Sequence, residues 1–426
     1  MKKINYFLGM FLLMTTLSFG QTKTELSLLE AYSLLEKNYP ILQNSGLLEQ
    51  IYQKDLEQLD IAKKPKLFVK ADGRIQSQSV SLVSDNPMIP LEIDQSIWSL
   101  KTYAEAQYLI LDGGLNDVQR KIKSVKLKAD LQNIEVDRFA LRERINHLFF
   151  GITLLREQSK LFDISLKDLE ARKEQVAAGL EMGVLLESEL IKIKVKELEI
   201  KSMQDNVGFQ VEGLVKTLTI LLGEEISNEV KLNFPALSSP AEIPNLNRPE
   251  LEYFKLQREA ILAQSDLIDV HKKPQLSAYA QAGIGYPNPL NFLSNKIAPY
   301  GILGIQMNWQ ITDWNKSQVD KDILSLQSQQ LIHAEETFNF NLDSKKAQYQ
   351  SDVNRLLYQI QQDEKIANLQ AEILKQLAAQ LDEGVITSSE YITQVNAELL
   401  SRQNLLIHQT ELSKVQVEFW SERGGF

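Results

Sequence analysis

The sequence predicts a mainly α-helical chain with a membrane β-barrel, organised as two structural repeats that each carry two barrel strands and long coiled-coil helices. Three observations point there. The chain matches itself: "NYPIL" (Asn38–Leu42) answers "NRPEL" (Asn247–Leu251), and "AKKPKLFVKA" (Ala62–Ala71) answers "HKKPQLSAYA" (His271–Ala280), both 209 positions on. "YLILDGG" (Tyr108–Gly114) answers "WQITDWN" (Trp309–Asn315), and "LEMGVLLESEL" (Leu180–Leu190) answers "LDEGVITSSEY" (Leu381–Tyr391), both 201 positions on. All 12 prolines avoid 91–234 and 300–426, leaving room for very long helices, since a proline inside a helix costs about 3 kcal/mol. Between the repeat landmarks, four stretches alternate apolar and polar residues with the period of a strand.

In chain order, residues 1–20 have the form of a secretory signal: Lys2 and Lys3, an apolar run from Tyr6 to Leu17, then Ser18-Phe19-Gly20. The run is short for a bilayer span of about 20 residues. Residues 21–40 hold a capping box, Ser27-Leu28-Leu29-Glu30, at a helix start. Repeat 1 (41–232) opens with a helix from Leu42 to Lys64 and continues with strands at 65–79 and 98–111. In these strands Leu67, Val69, Ala71 and Ile75 oppose Lys70, Asp72, Arg74 and Gln76, and Thr102, Ala104, Ala106, Tyr108 and Ile110 oppose Lys101, Glu105 and Gln107. The change of offset from 209 to 201 places an insertion in "SVSLVSDNPMIPLEIDQ" (Ser79–Gln95), a loop.

Asp112-Gly113-Gly114 reads as a turn and helix cap. Past it, Leu141, Ile145, Leu148, Ile152 and Leu155 step by four and three, and Phe162, Leu166, Leu169 and Val176 continue the seam. A helix running to Ala178 is roughly 100 Å long. It reverses near Gly183 into a returning helix, Glu187–Leu222, about half that length; the helix from Leu42 to Lys64 is long enough to continue it end to end. A Pro-rich linker (233–249) leads to repeat 2 (250–426). That repeat has the same plan: a helix at Leu251–Lys272, strands at 274–286 and 300–312, a helix from Lys316 to Gln380, a tip near Gly384 and a return from Ser389 to Glu422. The second strand's alternation runs Leu303, Ile305, Met307, Trp309, Ile311. Asp313 keeps the place of Asp112 while both glycines become Trp314 and Asn315, so the cap is expected to matter more than the turn chemistry.

Composition narrows the function. Net charge is −10 over 426 residues, which disfavours nucleic acid, whose binders carry a basic patch. With no cysteine, disulfide scaffolds, thiolate metal sites and cysteine nucleophiles are excluded. The histidines at 147, 271, 333 and 408 make no ligand pair, so no metal or other cofactor is expected, and no pocket-building motif suggests an enzyme. Four strands cannot close a barrel, and an open sheet edge cannot sit in lipid. The membrane reading therefore requires several chains to share one barrel. The alternative is a periplasmic coiled-coil adaptor or structural scaffold without a barrel.

Taken together, "LSLLEAYSLLEKNYPIL" after the signal, "YLILDGG" at a strand-to-helix entry and the two Gly-Val turns make the mature chain resemble the TolC-like outer-membrane efflux proteins. The resemblance implies a homotrimer with a twelve-stranded β-barrel in outer-membrane lipid and a twelve-helix α-barrel reaching into the periplasm. Segments 21–40 and 233–249 would form an equatorial girdle. The implied function is the exit duct of a tripartite efflux pump or type I secretion system, with a periplasmic adaptor (a membrane fusion protein) and an inner-membrane pump as partners. Gly183, Val184, Leu185, Gly384, Val385, Ile386 and Thr387 would be the adaptor-docking tips, with Ser388 or Ser389 capping the returning helix. Glu189 and Glu390 stand six residues past the two turn glycines. Glu390 matches the first of two acidic gate positions in the family; the second is Thr393 here, a departure from a two-ring gate. The plainer reading of both glutamates is a solvated carboxylate favoured by the helix dipole.

Overall fold

The computed structural model describes residues 23–83, 88, 92–234, 248–291 and 293–422. The signal segment 1–20 and residues 235–247 of the 233–249 linker lie outside the described residues. The elements run β1 (Lys23–Ser27), α1 (Leu28–Asn38), a 3₁₀ turn (Pro40–Gln43), α2 (Asn44–Ala62), β2 (Lys66–Ile75), β3 (Ser81–Val83), β4 (Glu92–Asp94), β5 (Trp98–Leu111), α3 (Leu115–Glu181) and α4 (Glu187–Leu222). They continue with β6 (Ile226–Asn233), α5 (Pro249–His271), β7 (Gln275–Tyr286), β8 (Ala298–Asn308), α6 (Lys316–Asp382) and α7 (Ser388–Glu422). Among the described residues no helix is long and apolar enough to cross a membrane.

The chain divides into two compact units that cut across the sequence repeats. The first comprises residues 1–43, 138–247 and 344–426; the second comprises 44–137 and 248–343. Each of the long helices α3 and α6 gives its longer C-terminal part to the first unit and its shorter N-terminal part to the second.

The second unit holds the strands. An antiparallel sheet of order β2-β5-β7-β8 joins the two repeats at its centre, where β5 pairs with β7. Both outer strands, β2 and β8, have only one partner among the described residues. The alternation read in the sequence puts Leu67, Val69, Leu100, Ala104, Leu276, Leu303, Ile305 and Met307 on one face, and Lys70, Asp72, Lys101, Glu105, Gln107 and Gln281 on the other. The insertion includes the short hairpin β3–β4. Trp309 and Ile311, expected on the second strand, fall beyond its end at Asn308; Trp309 Nε1 instead donates to Lys272 O at 3.0 Å, capturing the end of α5. Nearby, α3 is tied to α2 by Asn116 Nδ2 donating to Leu59 O (2.9 Å) and by Lys123–Asp55 (2.9 Å). It is tied to α5 by Lys121–Asp266 (2.7 Å) and Gln132 Nε2 to Pro249 O (2.9 Å). The helix α2 buries none of its residues; Leu47, Ile51 and Ile61 are exposed.

The first unit contains a small parallel pair, β1 with β6, that the sequence reading did not anticipate. Leu26, Ile226 and Val230 are buried in it. Ser27 caps α1 by accepting from Glu30 N (3.2 Å), but the Glu30 carboxylate turns to Lys23 (2.7 Å) instead of closing the box. Gly223 ends α4 in the left-handed region (φ 66°), beside Asn38, whose Nδ2 donates to Leu222 O at 2.5 Å. The unit's long core is a four-helix seam: Phe162, Leu169 and Val176 from α3, Ile193, Ile200 and Val207 from α4, Ala378 and Leu381 from α6, and Tyr391, Val395 and Leu399 from α7.

Candidate functional site

Both helical hairpins reverse by the same backbone device. Gly183 N donates to Leu180 O (2.9 Å) and Val184 N to Gly179 O (3.0 Å); Gly384 N donates to Leu381 O (3.0 Å) and Val385 N to Gln380 O (2.9 Å). This is the Schellman pattern, which needs a left-handed residue after the last helical turn. Gly183 (φ 76°) and Gly384 (φ 69°) supply it, and a Cβ at either would meet open space, so conformation alone selects glycine. The expected apolar tips separate into two groups. Val184 and Val385 are each 72% exposed, and Met182 and Leu186, which the sequence reading missed, are as exposed. Leu185 and Ile386 instead fold back onto the four-helix seam, with Leu185 lying over Gly179. A groove lined by Val176, Met182, Val184, Leu381 and Gly384 lies between the two tips.

The first turns of the returning helices use their glutamates differently. Thr387, rather than Ser388 or Ser389, is the cap of α7. Its Oγ1 accepts from Glu390 N (3.3 Å), while the Glu390 carboxylate accepts from Thr387 N (2.9 Å), a closed capping box. Glu390 is exposed. Thr393, also exposed, donates from Oγ1 to Ser389 O at 2.8 Å. Glu189 reaches out of its own hairpin: it accepts from Ser388 N at 2.8 Å and pairs with Lys192 at 2.8 Å. Lys192 first, then the Ser388 N–H, hold its carboxyl below the usual glutamate range against the opposing effect of burial. One hairpin thus caps the start of the other's returning helix.

A polar network just behind the tips was not foreseen. Tyr391 is fully buried in the seam, and its hydroxyl donates to Asp168 of α3. Burial, then the Asp168 charge, pushes the phenol up, so it stays a donor. Arg172, one turn along α3, bonds both carboxylate oxygens of Asp382 on α6 at 2.8 Å. A tyrosine in an apolar seam was the available signal, since a buried phenol demands a partner.

At the helix entries, Asp112 accepts from Gly114 N (2.8 Å) and Asn116 N (2.9 Å), and Asp313 accepts from Asn315 N (3.1 Å) and Ser317 N (3.1 Å). Gly113 and Gly114 have φ of 70° and 92°; Trp314 and Asn315 repeat them at 50° and 67°. The turn is therefore kept along with the cap, even where a tryptophan must adopt the left-handed region. Burial raises the Asp112 carboxyl, but the Asn116 and Gly114 donors outweigh it and the net shift is downward. Asp313 is held down to about 2, chiefly by the Ser317 hydroxyl and N–H. A depressed carboxylate contributes stability above its unfolded value of 3.8 and loses it as pH falls toward 2. The expected outcome is that the first turn of α6 frays between about pH 4 and 2, and that Asp313→Ala frays it already at pH 7. Faster amide exchange at Asn315 and Ser317 measures both.

No family model matches the sequence, and no curated protein matches it. The backbone does match solved structures. It superposes on CusC, described with its folding and transmembrane channel formation, with a TM-score of 0.71 at 15% identity, over 94% of this chain and 93% of that one. It superposes on the outer membrane protein VceC of Vibrio cholerae with a TM-score of 0.68 at 13% identity, over 93% and 96%. The chain has a TolC-like fold. The MtrE outer membrane channel of Neisseria gonorrhoeae, in its open state, matches at a TM-score of 0.66 and 15% identity, over 93% and 88%. Within the TolC-like fold, the predicted site residues fall at two ends of the long helices. Asp112, Gly113, Gly114 and Asp313 begin α3 and α6; Gly183 to Leu185, Glu189, Gly384 to Thr387, Glu390 and Thr393 gather where those helices turn back.

Proposed function

We propose that three copies of this chain close one barrel of twelve strands through outer-membrane lipid, continue it as a twelve-helix α-barrel into the periplasm, and serve as a passive exit duct. The single observation that carries the reading is the sheet. One face is a bare apolar band in the isolated chain, and the outer strands β2 and β8 await partners. Such a sheet is tolerated in lipid only when closed. The band ends in aromatic residues on both sides: Trp98 packs on Tyr286 at 4.4 Å between ring centres, and Tyr108 lies at the opposite end of the same face of β5. The ten steps from Trp98 to Tyr108 extend roughly 34 Å; at a tilt near 45° they cover about 24 Å, matching the ~25 Å apolar height of such barrels. The uncovered apolar side of α2 provides a second surface for a neighbouring copy.

The solved structures of like fold are outer membrane channels, and an exported chain with residues 1–20 as its signal fits that location. Residues 21–40 and 233–249 form the girdle between repeats 41–232 and 250–426. The exposed Met182, Val184, Leu186 and Val385 suit docking by the helical hairpins of a periplasmic adaptor, which links the duct to an inner-membrane pump of an efflux or type I secretion system. The duct carries out no chemistry and needs no cofactor.

The test is the purified mature chain in detergent and in planar bilayers. A trimer that conducts supports the reading; a water-soluble monomer overturns it. Glu390→Gln keeps a capping box while removing the charge. If three Glu390 carboxylates ring the entrance, this variant lowers cation selectivity and Thr393→Glu raises it. Unchanged selectivity in both assigns Glu390 to capping alone.

A further inference from the structure

The water-facing side of the sheet is not simply polar. Register places Tyr103, Gly283 and Tyr300 in one row across β5, β7 and β8, beside Lys70 of β2. A Cβ at Gly283 would collide with Tyr103; the glycine lets the two strands approach while the rings of Tyr103 and Tyr300 come to 6.3 Å across it. Two rows away, Tyr279 faces Gly304, and a Cβ there would meet the tyrosine ring at 2.6 Å. The ring of Tyr279 therefore lies along the wall instead of projecting from it. Between these rows Glu105, only 8% exposed, accepts from Lys70 Nζ and Gln281 Nε2, both at 2.7 Å. Asp72 faces Lys101 one row beyond Tyr103. Lys70 and Glu105 are thus paired within the wall, and the half-buried Tyr103 and Tyr279 present rings to a solute on either side of the Glu105 row.

We infer that the inner wall of the barrel is a track for planar aromatic, amphipathic organic molecules rather than for hydrated metal ions, with the half-buried Tyr103 and Tyr279 as its contact residues and the buried ring of Tyr300 backing Tyr103. This rests on the duct reading, since only closure turns the face inward. Three copies repeat each row around the lumen, so a solute meets several weak, equivalent sites. That is what a conduit requires: binding sufficient for entry and shallow enough for release. Flat rings offer stacking and, to a planar cation, the negative π-face. They offer nothing comparable to a small hydrated ion, whose ligands are carboxylate and carbonyl oxygens.

The experiment is single-channel recording of the full mature trimer with two probes of equal charge, the planar aromatic cation ethidium and the aliphatic cation tetraethylammonium, each added from the extracellular side. Ethidium is expected to block the open pore at roughly tenfold lower concentration than tetraethylammonium. Tyr103→Leu/Tyr300→Leu should erase most of that difference, and Tyr103→Phe/Tyr300→Phe, which keeps the rings, should retain it. Equal block by both cations in the wild-type trimer overturns the inference without any variant, as does a difference that survives the leucine pair. Should the leucine pair fail to insert, Tyr279→Leu alone carries the comparison, with an expected partial loss. Absence of any conductance is a distinct result that removes the duct reading itself.

Discussion

Replacing Tyr391 with alanine is expected to release the start of α7 from the seam at a local cost of about 3–5 kcal/mol, the range for emptying a buried aromatic site. Two contributions combine. The ring sits fully buried among Leu381, Ile193 and Val395, and its hydroxyl is held by Asp168. Tyr391→Phe separates them. Packing is kept and the hydrogen bond is lost, leaving Asp168 with Arg172 Nε at 3.9 Å. A hydrogen bond to a charged group contributes about 1.5–3 kcal/mol, and the Asp168 side chain, 36% exposed, admits water, so the lower end of that range is expected. Amide exchange through the first two turns of α7 measures both effects. In bilayers, loosening should appear as a higher closed-state leak, graded from phenylalanine to alanine. If phenylalanine behaves as wild type, the phenol does not tie α7 to α3, and the seam alone holds it.

Much of this arrangement was legible from local pattern, and the limits of legibility have physical causes. Helices as long as α3 and α6 are read from proline-free stretches and a steady heptad, because helical hydrogen bonds and seam packing are both local in sequence. The return helix bounds followed from the same logic; α4 occupies Glu187–Leu222. Where the pattern misled, a single contact prevailed. Trp309 continues an alternation yet leaves the strand because its indole finds the Lys272 carbonyl. Leu185 and Ile386 read as tip residues, but the Schellman turn points them inward at the seam. Ser388 and Ser389 both looked able to cap α7, and the choice fell to Thr387 because Glu390 completes a box with it and not with them. What composition and period could not supply was pairing at long range. Examples are the parallel β1–β6 pair, the Glu189 carboxylate on Ser388 N, and the Tyr391–Asp168 link across 223 positions.

The sheet permits the sharpest separation of faces, because Ile302 and Leu303 are neighbours in sequence and opposed in space. Leu303 pairs with Ala280 on the apolar face and is 85% exposed; Ile302 pairs with Gln281 on the other face and is 36% exposed. Leu303→Arg is expected to abolish assembly. On the lipid face of the proposed barrel an arginine costs about 2–4 kcal/mol at the bilayer midplane and less toward the interfaces, so three copies bring up to roughly 6–12 kcal/mol, comparable to the whole stability of an ordinary domain. Ile302→Arg adds the same charge to the side that the proposed barrel turns to its lumen, where solvation is retained and Glu105 lies one strand beyond Gln281 in the same row; it should assemble normally and shift conductance toward anions. Heat-modifiable trimer migration and recovery in the outer-membrane fraction distinguish the two. Equal tolerance of both arginines would mean that neither face meets lipid, and the amphipathic sheet would then belong to a soluble cap on a coiled coil. Loss of assembly with Ile302→Arg alone would invert the barrel, placing the tyrosine rows outward and removing the basis for an aromatic track.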